Sequence, residues 1–227
     1  MILDQQDLTA LWVTLKLASI STLLLLVLGT PLAWWLARSR WRFKSVIEAL
    51  IALPLILPPS VLGFYLLLAL GPNGPIGRVV DFLGGPPLAF SFSGLVIGSV
   101  FYSLPFVVQP LQNGFSSLGR RPLEVAATLG ASPLDQFFSV AIPMAKSSFI
   151  TAGVLGFAHT LGEFGVVLMI GGNIPGSTQV ASIAIYDHVE TLEYAQAHAL
   201  AGCLLLLSFV MLLVVYGANR RYSVATP

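Results

Sequence analysis

His159 and Glu163 stand four residues apart within an otherwise apolar run, a spacing that puts both side chains on one face of a helix. An imidazole and a carboxylate so placed are ligand types of a metal site. A di-metal carboxylate centre, however, needs further inward Glu or His from neighbouring helices, and the other long apolar runs supply almost none. No GxSxG nucleophile turn occurs. Nor does GxxxxGK followed by Ser or Thr, since only three Lys are present and none follows a Gly. The residues therefore predict no catalytic centre, no metal site and no cofactor in this chain. Any ATP hydrolysis must come from another subunit.

What remains is chemistry of passage. A carboxylate at membrane depth is expensive and faces a bundle interior or water, so Glu163 reads either as a gate beside a pathway or as a hydrogen-bonded tie between helices. The other polar candidates for a pathway are Ser60, Ser99, Ser103 and Asn173, with Thr14, Ser21 and Thr22 as further hydroxyls. Apart from Lys16, no apolar run carries a basic residue able to hold an anion tightly, and a weak site is what conduction requires.

The elements that must position these groups are membrane helices. The chain of 227 residues is 56% hydrophobic and only 9% charged, too few charges to coat a soluble surface. The fold class is all-α, a polytopic membrane protein with about five spans in one domain covering residues 1–227. The spans are expected over 9–37, 46–70, 93–113 and 147–170, with a fifth ending near Tyr216. Asp4 and Asp7 stand where a cleaved signal would carry Lys or Arg, so the first span is read as retained. Pro54, Pro58 and Pro59 must break the second span, which lipid tolerates only beside protein or a water-filled cavity. Gly94 and Gly98 allow close helix approach in the third. A loop rich in Gly and Pro follows the second span, with a short amphipathic turn over 76–83 that leaves room for an extra helix. The single Cys203 sits in an apolar run, so no disulfide framework exists.

Orientation follows from charge. Arg38, Arg40, Arg42 and Lys44 follow span one, Arg120, Arg121 and Lys146 bracket the segment after span three, and Arg220 and Arg221 follow span five. That places nine of the 11 Lys and Arg on one side, leaving Lys16 and Arg78. The positive-inside rule puts that side in the cytoplasm and the N-terminus outside. The loop after span four carries Asp187, Glu190 and Glu193 without Lys or Arg and faces out. Trp41 and Phe43 interleave the first basic loop, which reads as juxtamembrane and not as nucleic-acid binding.

The cytoplasmic segment over 116–146 is built unlike the rest. Pro122 suits the first turn of a helix, Gly130 supplies a left-handed stop, and Ser132-Pro133 read as N-cap and first residue of a second helix. On that second helix Leu134, Phe137, Phe138 and Ala141 share a face. Two Phe rings standing out of the membrane either lie on headgroups or enter a pocket on a partner, where burying each is worth roughly 1.5–3 kcal/mol.

The order Glu124, Ala126-Ala127, Gly130, then Ile142-Pro143 resembles the cytoplasmic signature of ABC-importer permeases, with Val125 replacing the usual first Ala. LPLILPPSVLGF (53–64) and TLGEFGVVLMIGGNIPGSTQVASIAIYDHV (160–189) resemble the molybdate/tungstate branch, with sulfate permeases as close cousins. The likeness runs from the first basic loop to the last span. It implies a type I importer permease in a bacterial or archaeal inner membrane, in which Glu124, Ala126, Ala127, Gly130, Ser132, Pro133, Phe137 and Phe138 form a coupling helix-turn-helix. The implied partners are a second copy of the chain, two cytoplasmic ATP-binding subunits and a periplasmic or surface-anchored oxyanion-binding protein. The implied substrate is a tetrahedral oxyanion, molybdate ahead of sulfate or thiosulfate. A self-contained channel or carrier and an intramembrane metalloenzyme are the competing readings.

Overall fold

A computed structural model describes residues 3–223. Its elements are all helical and no strand occurs among the described residues. The side chains of Arg220 and Arg221, counted above toward the basic side, lie outside the described ones. Four stretches are long and apolar enough to cross a membrane: Gln5–Arg38, Pro59–Phe82, Phe92–Ser117 and Tyr194–Leu213. Lys146–Leu161 meets the same measure only together with Pro133–Met144, from which it is bent by 72°.

Helix α1 (Gln5–Arg38) begins where Asp4 and Asp7 each accept the other's backbone N–H, at 3.1 and 2.8 Å, satisfying two donors that a helix start leaves orphaned. It packs against α5 (Phe92–Ser117) and α9 (Lys146–Leu161). Their shared core is a helical stripe of Val107, Val108, Leu111 and Phe115 facing Leu25, Ala33 and Leu36. Lipid tails are as apolar as these side chains, so close packing supplies the attraction and small residues at the contacts matter. Gly98 shows this: a Cβ there would sit 2.4 Å from Ile170 Cδ1.

The second span is broken where its prolines predict. Helix α2 (Lys44–Ala52) passes through a tight turn at Leu53–Leu55 and restarts as α3 (Pro59–Leu70), with Pro59 in the first turn where its missing N–H costs nothing. The short amphipathic turn is helix α4 (Pro75–Phe82), eight residues long and too short to cross alone.

Two features depart from expectation. The fourth span is not continuous over 147–170. Helix α9 stops at Leu161 and α10 (Gly165–Gly171) resumes after an irregular step through Gly162, Glu163 and Phe164. The stretch expected as an outer loop folds back instead. Thr178, Gln179 and Val180 are buried, and α11 (Ala181–Glu190) packs against α1 and against α12 (Tyr194–Ser223). The apolar run 180–185 gives it a side to bury, and Thr14 Oγ1 accepts the Ala181 N–H at 2.8 Å. Thr178 Oγ1 donates to the Gly171 carbonyl at 2.6 Å and closes the intervening turn.

Between α5 and α9 lies α6 (Arg121–Thr128), then α7 (Pro133–Gln136), a wide π turn over Phe137–Ala141 and α8 (Ile142–Met144). The wide turn falls just before Pro143, which has no N–H to continue an α ladder.

Candidate transport pathway and docking surface

The break between α9 and α10 carries Glu163, which is 4% exposed. A buried carboxylate must find donors or revert to its neutral form. Here Ser99 Oγ donates to Oε2 at 2.5 Å and Ser103 Oγ to Oε1 at 2.8 Å, both from one face of α5. The backbone is held too, since Ser182 Oγ on α11 donates to the Glu163 carbonyl. Three elements therefore meet on one residue.

Ser103 has a single proton, and it goes to the carboxylate. Its oxygen also lies 2.8 Å from His159 Nδ1 and 2.9 Å from Thr160 Oγ1. The ring is thus tied through Ser103 to Glu163, the donor in the Nδ1–Ser103 contact being set by the imidazole tautomer. The ring is clamped as well: it stacks on Phe106 at 3.9 Å between centroids and tilts against Tyr102 at 4.6 Å. His159 and Glu163 thus share a face as their spacing predicts, with Nδ1 and Oε1 3.8 Å apart. Among the described residues no group of three or more His, Cys, Asp or Glu is placed to hold a metal.

An open cleft of about 640 Å³ runs beside this network, lined by Pro59, Ser60, Tyr102, His159, Glu163 and Phe164. The polar candidates therefore divide. Ser60 faces the cleft directly and Glu163 forms part of its wall. Ser99 and Ser103 are fully buried and spend their hydroxyls on Glu163. Asn173 lies elsewhere, its Nδ2 donating to Asp187 Oδ2 at 2.7 Å. The sequence pattern marks His159 only as a metal-ligand type and Phe106 not at all. The signal available was that both belong to the helices flanking Glu163.

At the end of the bundle where Asp7 and α11 meet, His188 Nε2 is 2.8 Å from Asp7 Oδ1 and Nδ1 is 2.8 Å from Glu193 Oε2. This cluster ties the start of α1 to the turn between α11 and α12, a contact that no local pattern signals because 181 residues separate Asp7 from His188.

The segment at the opposite, basic end has the predicted turn. Gly130 adopts φ 89°, a left-handed conformation that an L side chain strains to reach. The Ala131 N–H reaches back to the Ala126 carbonyl at 3.0 Å and Gly130 N–H to Ala127 at 3.0 Å, closing the C-terminus of α6. Ser132 then caps α7: its Oγ accepts the Asp135 N–H at 3.2 Å while Asp135 accepts the Ser132 N–H at 3.3 Å, with Pro133 in the first turn. Leu123 is buried in the core, Glu124 and Ala127 are exposed, and Ala126 is half-buried. The two Phe rings differ. Phe137 packs inward, edge-on to Trp34 at 5.1 Å and against Phe115 at 6.1 Å, so it is not the free ring that the helical face predicts. The wide turn rotates it toward its own bundle. Phe138 remains 62% exposed and Leu129 82% exposed, with Val125 and Leu134 also outward.

Residues 29–224 match the family described as binding-protein-dependent transport system inner membrane component. The chain belongs to this family. As one of these inner membrane components it is a multi-pass membrane protein and a permease subunit of an ABC transporter. It is 62% identical, over 96% of each chain, to the molybdenum transport system permease protein of Azotobacter vinelandii. It is 36% identical, over 92% of this chain and 72% of the other, to a probable sulfate transport system permease protein of Zygnema circumcarinatum. Its fold is similar to a chain in the crystal structure of a bacterial ABC transporter involved in the import of the acidic polysaccharide alginate. There the TM-score is 0.75 at 17% identity, covering 99% of this permease and 81% of that chain.

Proposed function

We propose that this permease carries molybdate inward as part of an ATP-driven importer, with another chain hydrolysing the ATP. The observation that carries the substrate is the 62% identity along 96% of both chains to a molybdenum permease, against 36% to a sulfate one. The site chemistry agrees with a passing dianion. The cleft lining contains no Lys or Arg that would trap it, and both oxygens of Glu163 are occupied by serine hydroxyls.

The proposed assembly has two copies of this chain around a central pathway, two ATPase subunits and an external oxyanion-binding protein. The segment 116–146 is the coupling element on the cytoplasmic side, presenting Glu124, Ala126, Ala127, Ser132, Pro133 and Phe138 around the Gly130 bend. ATP binding draws the two ATPase subunits together, and the coupling segments move with them to alternate access between the two sides. The N-terminus lies outside and the C-terminus inside.

Reconstitution in liposomes with the ATPase and binding-protein partners tests this reading. Molybdate uptake that requires ATP, exceeds sulfate uptake and disappears in Gly130→Trp is the expected result. Flux of oxyanion from the permease alone, without ATPase or ATP, overturns it in favour of a self-contained carrier. Wild-type Gly130→Trp activity removes the coupling role.

A further inference from the structure

We infer that the basic end of the bundle holds a binding site for the phosphate of an anionic phospholipid, formed by Arg38 and Arg40 at the end of α1 and by Arg120 at the start of α6. The site is separate from the transport cleft and independent of which oxyanion the permease carries. Its lipid clips the end of α1 to the root of the segment 116–146.

The three arginines are distant in sequence, and the fold brings them to one pocket of about 250 Å³ that Ser39, Ser116 and Gly119 also line. Helix α1 ends at Arg38, and Ser39 leaves it in extended backbone. Helix α5 ends at Ser117, and Gly119 then takes φ 64°, the left-handed conformation that turns the chain and returns Arg120 beside the end of α1. Open space lies where a Cβ on Gly119 would stand. All the charge in the lining is positive. Among the described residues no carboxylate pairs with Arg38, Arg40 or Arg120. Arg38 lies over the Trp34 ring at 4.5 Å, which steadies its guanidinium and leaves the N–H edge unspent. Ser39 Oγ accepts the Trp41 N–H at 3.2 Å, so its own proton is left to donate. Three like charges around one small pocket repel one another, and a group with several anionic oxygens relieves that repulsion while using the forked donors of each Arg. The pocket has the volume of about eight liquid waters, room for a phosphate group with a few waters.

Depth selects the source of the phosphate. Trp35, Trp41 and Phe43 are exposed around the same end of the bundle and pack on one another, Trp41 lying 6.2 Å from Trp35 and 5.3 Å from Phe43 between centroids. Aromatic belts of this kind mark the headgroup level of a bilayer. A pocket at that depth meets lipid phosphates continuously, and its three arginines are exposed, so a headgroup reaches them without opening the bundle. The lining has no carboxylate to receive the ammonium of a zwitterionic headgroup, so a net anionic lipid is the better occupant.

The experiment titrates short-chain phosphatidylglycerol into the full-length permease in neutral detergent and follows thermal unfolding, with phosphatidylcholine, inorganic phosphate and molybdate as parallel probes. Wild type is expected to gain stability from phosphatidylglycerol alone, by an amount that shrinks as salt is added. The triple variant Arg38→Gln/Arg40→Gln/Arg120→Gln loses roughly ten- to a hundredfold in affinity for that lipid. Arg42→Gln/Lys44→Gln/Arg121→Gln removes as many charges from the same end but outside the pocket, and binds within about threefold of wild type. Where the pocket variant does not fold, Arg120→Gln alone carries the test, with a loss of roughly three- to tenfold. Equal losses in the two triple variants overturn the inference, because the lipid then answers to the basic face at large. Equal stabilisation of wild type by inorganic phosphate or molybdate overturns the lipid as occupant and gives the pocket to a soluble oxyanion. An unchanged lipid titration in a pocket variant that no longer co-purifies the ATPase subunit also overturns it and assigns the arginines to the protein partner.

Discussion

Glu163 and Phe138 interrupt the apolar pattern at opposite extremes of satisfaction. The carboxylate is 4% exposed, and each of its oxygens accepts a serine hydroxyl. The Phe ring is 62% exposed, with Leu129 and Leu134 exposed beside it. A polar group enclosed and fully paired holds its surroundings in one arrangement, because any other arrangement leaves it unpaired in a medium without water. An exposed apolar ring is held by no such network, and under the proposed coupling role an ATPase surface is what would cover it.

Removing the carboxylate tests the first half and carries the largest expected effect. Glu163→Leu leaves the Ser99 hydroxyl buried without its acceptor and forces Ser103 to turn to His159 or Thr160, a loss of roughly 2–4 kcal/mol in stability. Glu163→Gln keeps a carbonyl acceptor and loses about half as much. Thermal unfolding of the detergent-solubilised chain measures both, and a Glu163→Leu variant that melts with wild type would show that the network ties nothing. On the same assay Phe138→Ala is expected to lie within about 0.5 kcal/mol of wild type.

The adjacent rings give the sharper contrast, since one substitution at neighbouring positions separates inward from outward burial. Phe137→Ala opens a gap beside Trp34 and Phe115 and costs about 2–3 kcal/mol of stability, less than a fully buried Phe because the ring is only half-buried. Phe138→Ala leaves the melt unchanged and weakens co-purification of the ATPase subunit by roughly ten- to a hundredfold, the worth of one Phe buried in a pocket. Equal effects of the two on both readouts would erase the distinction.

That contrast also shows where sequence reading stops. Gly130 and Ser132-Pro133 were legible because their roles are local: a left-handed residue and a capping box are set by neighbours two or three positions away. Glu163 was legible as a buried charge because composition alone makes it anomalous. Phe137 was not, because a helical face assumes 3.6 residues per turn and the π turn over Phe137–Ala141 changes that count. Ser99 and Ser103 share a face in any helix, but periodicity says nothing of whether that face meets water or another helix. The inward fold of 172–180 was illegible for the same reason. Polar Thr178 and Gln179 read as loop, and only the acceptors on Gly171 and Asp187 explain their burial.

The Gly130 bend carries a smaller effect. Nothing lies within 4 Å of a Cβ built at Gly130, so Gly130→Ala meets no clash and pays only the left-handed backbone cost, about 1–2 kcal/mol. The strain falls on the exposed segment, so the melt should barely move while ATPase docking weakens about five- to thirtyfold. A docking loss matching that of Gly130→Trp would mean that side-chain bulk at the interface is irrelevant and backbone geometry is the whole effect.

The Asp7–His188–Glu193 cluster sits between the two extremes, with Asp7 as buried as Glu163 but Glu193 exposed, and its effect is the smallest. The Asp7 carboxylate at 2.8 Å raises the pKa of His188 above the ordinary value; burial opposes it next in size, and the Glu193 hydrogen bond adds in the raising direction. For a base raised in the folded state, the stabilisation is complete below the unfolded pKa of about 6.5 and is lost as pH climbs through the raised value. With His188 and Glu193 partly solvated the contribution is about 0–1 kcal/mol, so the melting temperature should slip only slightly as pH climbs above about 6.5. His188→Asn removes the titrating group and should flatten that slope without moving the alkaline end, because at high pH the wild-type ring is already neutral. An unchanged slope in His188→Asn would place the pH response elsewhere and leave the cluster a neutral hydrogen-bonded tie. His188 and Glu193 line a cleft where water can replace their partners as the tie loosens, whereas Ser99 and Ser103 are fully buried and lose Glu163 without gaining water.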